Sequence, residues 1–266
     1  MERLAVPDDA ALEQLLGQPV RRRERLHSWP LSLVERVETG DGVCILKTQL
    51  ACASVESAFY AAVAHPRLLR PLYAGRSGNS EILILPFLEG PTEDWSAWTD
   101  ERIRRRVRAL RGEFSGLDGA PVFFDYSRRE QFADALAADE ETLRQGGLRP
   151  EELAALRAWL DGPGSACWDA PVGLLHGDLK GENLLDGRLI DWQRPMRGPL
   201  PLEEGIALQL AGRLPTAGDP FAALTLLHHA HWYAWAFVHC LPFPVERDQA
   251  VALARQGLQM IDKGQI

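Results

Sequence analysis

The pattern of apolar and polar positions divides the chain into a strand-rich first part and a mainly helical remainder. Residues 8–17 have an acidic start, helical apolar spacing and a terminal glycine, which predicts a short helix. Residues 31–38 and 43–49 are apolar and partly β-branched, and residues 39–42 between them contain two glycines, which predicts a hairpin. Residues 51–64 are predicted to form a helix that ends before a His-Pro pair.

A buried strand is predicted at residues 81–88, and Glu89-Gly90-Pro91 after it marks the predicted boundary between two lobes. Helices are predicted beyond it at residues 100–113, 128–145, 150–161, 202–213, 219–240 and 246–262. Between the helices predicted at residues 150–161 and 202–213, short apolar segments flank Asp186-Gly187. This pair is a strong hairpin signal. The pattern predicts an α+β fold, with a small β-rich lobe of residues 1–89 carrying one main helix and a larger helical lobe of residues 90–266.

Composition and charge exclude several classes of protein. The chain has 266 residues, of which 46% are hydrophobic and 25% charged, as in an ordinary globular protein. Its net charge of -8 argues against a nucleic-acid partner, which needs a basic surface. The four cysteines form no CxxC pair, so reduced thiols are expected. No apolar run has the length of a membrane span and no leader segment is visible, so we expect a cytoplasmic protein without a membrane partner.

The segment 174–192 carries the candidate chemistry. It contains Asp178, then Asn183 five residues later, then Asp191 eight residues after that. Phosphoryl transfer needs one carboxylate that orients or accepts the proton of the attacking hydroxyl, and oxygen ligands for the magnesium ions that bridge the phosphates. Each of these residues alone is more often a cap or a turn former. Their joint occurrence on one loop and hairpin favours a phosphotransferase site.

The same residues resemble a known family. His176-Gly-Asp-Leu-Lys-Gly-Glu-Asn183 followed by Ile190-Asp-Trp192 is similar to the signature of the aminoglycoside phosphotransferase and choline kinase family, and also to the protein-kinase catalytic loop. Gly177, where protein kinases usually carry Arg, favours the small-molecule branch. The resemblance implies a bilobal protein-kinase-like fold in which residues 1–89 bind nucleotide and residues 90–266 carry catalysis and the acceptor. It is specific over the motif and looser over residues 28–90.

The resemblance also implies roles for the residues of the motif. Asp178 is the expected catalytic base, and His176 is expected to brace the loop by hydrogen bonds. Asn183 and Asp191 are the expected magnesium ligands. Lys180 could neutralise charge on the transferring phosphate, although a solvated loop lysine is an equal alternative.

Nucleotide contacts are expected from the first lobe. Lys47 ends an apolar run, and the resemblance implies that it holds the nucleotide phosphates as a compact point charge. Glu56, on the next predicted helix, is expected to orient Lys47 through an ion pair. Residues 27–34 occupy the phosphate-loop position but contain no glycine, so backbone amides and Ser28 or Ser32 are the remaining candidate phosphate contacts.

Two other features lie after the motif. The family often has an Asp on a helix beyond the metal-binding Asp; here either Glu203 or Glu204 replaces it, or the feature is absent. The predicted helix at residues 219–240 is crowded with histidines and aromatic residues. We interpret it as an aromatic-rich core helix that borders the substrate pocket, because its histidines lack the spacing and carboxylate of a metal motif. The arginine clusters at residues 21–25 and 102–108 are interpreted as solvated faces or ion-pair partners.

The sequence therefore predicts an ATP- and magnesium-dependent phosphotransferase that acts on a hydroxyl of a small molecule, such as an aminoglycoside or another amine-bearing alcohol. A protein kinase is an alternative, but Asp191 is followed by Trp-Gln-Arg-Pro and no Ala-Pro-Glu follows. A second alternative is a catalytically silent nucleotide-binding domain, which the glycine-free residues 27–34 favour. The sequence does not identify the acceptor or the oligomeric state.

Overall fold

The computed structural model describes residues 4–117, 119–213 and 219–264, and these residues form two compact units. The first unit comprises the chain up to Glu93 together with Gly119–Phe123 and Gly181–Pro195. The second unit comprises the rest of the described chain. Each unit has its own secondary structure and core.

The described residues contain both helices and strands. The α-helices are α1 Asp9–Leu16, α2 Glu56–Ala62, α3 Asp100–Glu113, α4 Arg129–Gln145, α5 Pro150–Asp161, α6 Leu200–Leu210, α7 Pro220–His239 and α8 Pro244–Gly264. The strands are β1 Val20–Trp29, β2 Ser32–Thr39, β3 Val43–Leu50, β4 Tyr73–Ser77, β5 Ser80–Pro86, β6 Phe124–Asp125, β7 Val172–Leu175, β8 Leu184–Leu185, β9 Arg188–Leu189 and β10 Met196–Pro199. None of these helices is long and apolar enough to cross a membrane.

The first unit is built on a five-stranded sheet. Its strand order is β1-β2-β3-β5-β4, and all neighbouring strands are antiparallel. Leu12 of α1 is buried with Val37, Leu46, Ile82 and other apolar side chains of the sheet. Successive side chains of a strand point to opposite faces of the sheet. Lys47, which follows Leu46, therefore points to the face away from α1.

The sequence pattern did not reveal two strands of this sheet. The residues of β1 show an arginine cluster that runs into the phosphate-loop position at residue 27, and the sequence predicts no strand at β4. Both are edge strands, so most of their side chains are exposed or only partly buried and the apolar alternation of a half-buried strand is absent. Arg23 of β1 pairs with Glu35 of β2, which fits the ion-pair interpretation of this cluster.

The helix predicted at residues 51–64 is wrong in its first half. A short 3-10 turn at Ala51–Ala53 is followed by extended backbone at Ser54, and α2 begins only at Glu56. The Ser54 hydroxyl accepts the Glu56 backbone N–H at 3.0 Å, as a serine does when it precedes a helix. The helix therefore starts at the residue that was expected to form an ion pair.

A hairpin and an adjoining loop complete the first unit. β8 and β9 are joined by Asp186 and Gly187, with φ values of 50° and 70°, which is the backbone that a two-residue hairpin requires. The Val55 N–H donates to the Gln193 carbonyl at 3.1 Å, and the Asp186 N–H donates to the Pro91 carbonyl at 3.1 Å. The predicted single boundary after residue 89 differs from this division, because these hydrogen bonds tie a later segment to the first unit.

The second unit is mainly helical. The helices predicted beyond residue 100 correspond to α3–α8, with ends that differ by a few residues. Helices α4–α8 enclose a core to which α7 and α8 contribute most of their small and aliphatic side chains. A three-stranded sheet of order β6-β10-β7 packs in the same unit. Its strand β7 leads directly into the loop that carries Asp178.

Helices α6 and α7 touch at Gly205, and this contact predicts a specific stability loss. A Cβ atom added at Gly205 lies 2.1 Å from the Thr225 hydroxyl, so Gly205→Ala must push the helices apart. We expect a loss of about 1–3 kcal/mol in the free energy of unfolding, measured by urea denaturation.

Gly112→Ala in α3 is the matched control, because a Cβ atom there meets nothing within 4 Å. Alanine has the higher helix propensity, so this variant should be neutral or more stable. Equal loss in both variants would contradict the contact.

Candidate active site

The Lys47 ammonium group lies between two carboxylates of the first unit. β3 carries Lys47, and the Nζ atom is 2.6 Å from Glu56 Oε2 of α2. The same Nζ donates to the carboxylate of Asp191. Glu56 is fully buried and Lys47 is 8% exposed. The structure therefore contains the ion pair that the sequence led us to expect, and it adds Asp191 as a second partner.

Burial and charge act in opposite directions on this cluster. Burial lowers the pKa of Lys47, but the carboxylates of Asp191 and Glu56 outweigh it, and the pKa lies above its ordinary value. Burial raises the pKa of Glu56, while the positive charge of Lys47 opposes that rise. Lys47 is thus held as a cation, the form that can attract phosphate oxygens.

Asp191 has an unusual backbone. It and Asp186 are the only non-glycine residues of the described chain with positive φ, and the φ of Asp191 is 66°. Such a conformation costs about 1–3 kcal/mol and occurs most often at functional sites. Trp192 holds the loop from the other side: its ring stacks on Phe59 of α2 at 4.4 Å between centroids. With this backbone conformation the Asp191 carboxylate contacts Lys47, while the side chain of the next residue, Trp192, packs in the core.

Asn183 lies on the same hairpin as Asp191. Its carbonyl accepts the Ile190 N–H at 2.9 Å, and its side chain is buried. An amide oxygen and a carboxylate suit magnesium, which binds one or two protein oxygens and completes its shell with phosphates and water. No group of three or more His, Cys, Asp or Glu side chains in the described residues could hold a metal without such help. The donor set therefore fits a magnesium ion brought by a nucleotide.

The loop with Asp178 belongs to the second unit and is braced from within. The Asp178 N–H donates to His176 Nδ1 at 3.3 Å, and Lys180 Nζ is 3.4 Å from Asp178 Oδ2. Glu203 of α6 accepts the backbone N–H groups of His176 at 2.5 Å and Gly177 at 3.2 Å. His176 thus supports the loop, and the carboxylate of Glu203 fixes its backbone.

The two neighbouring glutamates of α6 have separate partners. Glu204 binds Arg108 of α3 through two hydrogen bonds of 3.0 and 2.8 Å and Arg111 through one of 2.8 Å. Arg111 also donates to the Leu200 carbonyl. The sequence left Glu203 and Glu204 as alternatives. The structure brings Glu203 to the loop, while Glu204 ties α6 to α3.

The serines of the phosphate-loop position are placed differently from each other. Ser28 on β1 is exposed, whereas Ser32 at the start of β2 is 6% exposed. Between them Trp29 pairs with Ser32, so the strands are joined by the two residues Pro30 and Leu31 alone. A tight hairpin replaces the flexible glycine loop, and the phosphate contacts of both serines stay predictions.

Two histidines of α7, His228 and His231, are buried in the core of the second unit. His231 Nδ1 is 2.6 Å from Asp139 Oδ2 of α4, and both side chains are buried. His228 and His231 contact the rings of Phe124 and Tyr126. The structure places His228 and His231 in the core, as expected of a core helix, while a border with the substrate pocket stays a prediction. The carboxylate partner, which comes from another helix, was not visible in the sequence.

Comparison with known protein families identifies the family of this chain. Residues 57–241, well over half of the chain, match the phosphotransferase enzyme family. The chain belongs to this family. The matched residues include Asp178, Asn183 and Asp191 and extend past residue 200, where the motif gave little guidance, whereas Lys47 and Glu56 precede them. No curated protein sequence is similar enough to count as a relative of this phosphotransferase.

Solved structures share the fold of this phosphotransferase. A choline/ethanolamine kinase family protein from Mesorhizobium loti is 15% identical, with a TM-score of 0.61 over 92% of this chain and 90% of that one. A protein assigned as fructosamine-3-kinase from Thermobifida fusca YX-ER1 is 19% identical, with a TM-score of 0.58 over 94% and 98%. A thermostable aminoglycoside phosphotransferase mutant, in a ternary complex with ADP and hygromycin B, is 16% identical, with a TM-score of 0.56 over 94% and 98%.

These findings confirm the predicted family, the α+β protein-kinase-like fold class and the enzyme class, a phosphotransferase. The residue roles rest on the geometry above and stay predictions. Two buried residues beside the Lys47 cluster, Gln49 and Glu81, were missed. The sequence does mark Glu81 as unusual, because it is a charged residue at the start of an apolar strand. Gln49 follows Lys47 by two positions on β3 and therefore lies on the same face of the strand.

Glu203 predicts a pH-dependent stability. Burial raises its pKa from 4.5 to about 7 despite the backbone N–H groups that it accepts. A carboxyl group whose pKa is raised by folding favours the folded state most below pH 4.5, and this contribution is lost as the pH rises through 7.

Glu203→Gln removes this titration, so the difference in unfolding free energy between wild type and variant should change by on the order of 3 kcal/mol between pH 4.5 and 8. Urea denaturation across this range measures it. Parallel pH profiles of the two proteins would contradict the raised pKa.

Proposed function

We propose that this phosphotransferase transfers the terminal phosphoryl group of ATP, with magnesium, to a hydroxyl of a small molecule. The observation that carries the proposal is the buried Lys47 cation held by Glu56 and Asp191. A buried lysine with two carboxylate partners is costly for stability alone. It is well suited to hold phosphate oxygens next to a metal-binding carboxylate.

Each residue has a defined task in this proposal. Lys47 attracts the nucleotide phosphates, and Glu56 keeps its ammonium group in position. Asn183 and Asp191 supply the oxygen atoms that hold magnesium, which neutralises charge on the phosphates when it is bound. Asp178 accepts a hydrogen bond from the acceptor hydroxyl and takes its proton as the oxygen attacks. Lys180, beside Asp178, stabilises negative charge on the transferred group.

The acceptor class is the finer part of the proposal. The net charge of -8 favours a cationic or neutral acceptor over an anionic one. A structural neighbour binds hygromycin B, and another belongs to the choline/ethanolamine kinase family. We therefore propose an amine-bearing alcohol, such as an aminoglycoside, and expect the reaction in the cytoplasm, where ATP and magnesium are abundant.

The direct test is turnover by the purified chain with magnesium-ATP. A panel of aminoglycosides, choline-like amino alcohols, amino sugars and neutral sugars is incubated with labelled ATP, and phosphorylated products are identified by mass spectrometry. Preference for amine-bearing alcohols supports the acceptor class. Transfer to neutral sugars alone contradicts the class but leaves the phosphotransferase intact.

A catalytically silent nucleotide-binding domain is the second candidate. The hairpin tip at Pro30 and Leu31 favours it, because a two-residue turn without glycine cannot fold over phosphates as a glycine loop does. Such a domain binds ATP, but it forms no product and releases no phosphate with any acceptor. Calorimetry with ATP, run beside the turnover assay, separates the candidates.

Loss of the proposed base should stop transfer without loss of binding. In Asp178→Asn we expect kcat to fall about 100- to 10,000-fold, while ATP affinity stays near that of wild type. Steady-state kinetics and calorimetry measure the two quantities. Asp186→Asn is the matched control, since Asp186 is an exposed turn residue whose positive φ asparagine also tolerates. Near-normal turnover in Asp178→Asn would exclude this role.

The proposed metal ligand should control the magnesium dependence of binding. Asp191→Asn keeps a residue that tolerates positive φ but removes the charge. We expect magnesium to strengthen ATP binding in wild type and to have at least about tenfold less effect in the variant, a difference of about 1.4 kcal/mol. Titrations with and without magnesium measure this. An unchanged magnesium effect would place the metal on other residues.

A further inference from the structure

A second layer of buried polar residues lies behind the Lys47 ion pair. Gln49 follows Lys47 by two positions on β3, so both side chains leave the same face of the strand. Gln49 Nε2 is 3.0 Å from Glu56 Oε2, the atom that also contacts Lys47 Nζ. The same Nε2 is 3.3 Å from Glu81 Oε2. One amide group thus bridges two carboxylates.

The sheet register creates this bridge. β3 and β5 are antiparallel, and Gln49 lies directly opposite Glu81. Cross-strand neighbours on one face have Cβ atoms about 5 Å apart, so their side chains meet without distortion. The orientation of the amide is also defined, because only its NH₂ group can donate to two carboxylate oxygens.

Glu81 also holds the first turn of α2. Val55 at the cap position has no side chain that can accept a hydrogen bond, and the Ser54 hydroxyl accepts the Glu56 N–H. Burial raises the pKa of Glu81, while hydrogen bonds from the Ser54 side chain and the Ser57 backbone oppose that rise. A negative group at a helix N-terminus satisfies free N–H groups and complements the helix dipole. Glu81 therefore holds the N-terminal end of α2, where Glu56 is the first helical residue.

We propose that Glu81, acting with Gln49, is a positioning residue for the transfer reaction: it fixes the Glu56 carboxylate and thereby the Lys47 ammonium group. This inference rests on the proposed function. Glu81 is 1% exposed and Gln49 is 0% exposed, and β5 continues from Glu81 as an apolar run. The Glu81 carboxylate recovers its desolvation through hydrogen bonds from Gln49, Ser54 and Ser57 and through an ion pair with Arg76 at 3.9 Å. A role in aligning Glu56 gives a reason for the charge.

The test reads Lys47 directly and needs no nucleotide. The purified full-length chain is treated with an amine-reactive ester, and the rate of modification at Lys47 is measured by peptide mass spectrometry. In Glu81→Met and Gln49→Leu, which keep volume but remove the bridge, Glu56 is released and the Lys47 ammonium group loses its fixed, buried position. The labelling rate at Lys47 should therefore rise severalfold above that of wild type.

Glu35→Gln is the matched control. Glu35 is a buried carboxylate of the same sheet, but it is paired with Arg23 and is two strands from Glu81. We expect it to lower the melting temperature without changing Lys47 labelling. Glu81→Met should lower the melting temperature as well, because the Ser54 hydroxyl and the Ser57 N–H lose their acceptor, so the control separates lost stability from released Glu56. An unchanged labelling rate in both bridge variants, or an equal rise in the control, would overturn the inference.

Kinetics provide the second readout. With magnesium-ATP we expect Glu81→Met to raise the KM for ATP and lower kcat, with a fall of about tenfold in kcat/KM. Glu81→Gln, which can still accept the helix N–H, should recover part of this loss. Unchanged kinetics in Glu81→Met would also overturn the inference. If wild type transfers no phosphate, the proposed function fails, whereas the labelling experiment still decides the role of Glu81.

Discussion

The burial of one lysine is the constraint on which the rest of the first unit depends. The charge of a lysine that is 8% exposed must be neutralised and hydrogen-bonded, or the side chain loses its proton. Two carboxylates do this, and they come from distant parts of the chain: Glu56 from α2 and Asp191 from the loop after β9. The strand, the helix and the loop are therefore held to one another by a single charge.

Several local features follow from that constraint. Asp191 has a backbone conformation that few non-glycine residues adopt, and the stacking of Trp192 on Phe59 supplies part of the energy that maintains it. α2 begins at Glu56, and its first turn is capped by groups from outside the helix. Backbone and packing thus both serve the placement of the two carboxylates.

The second unit uses the same principle on the loop that carries Asp178. Glu203 is buried, and it accepts two backbone N–H groups from the turn that presents Asp178. The adjacent Glu204 anchors α6 to α3 through arginines. A short loop has few contacts of its own, so the position of this loop is stabilised by hydrogen bonds to a helix that is packed in the core.

The helices beyond residue 100, the central hairpin of the sheet, the phosphotransferase family and the candidate residues of the motif were all predicted from the amino-acid sequence alone. These depend on local information: apolar periodicity, turn residues and a short motif. The edge strands, the start of α2, the choice between Glu203 and Glu204, and the Gln49–Glu81 bridge were decided only by the tertiary structure. Edge strands lack the alternation that burial imposes, and a buried polar residue has meaning only through its partners. His176 and Glu203 are 27 residues apart in the sequence, and Gln49 and Glu81 are 32 residues apart. No local sequence pattern carries information over such separations.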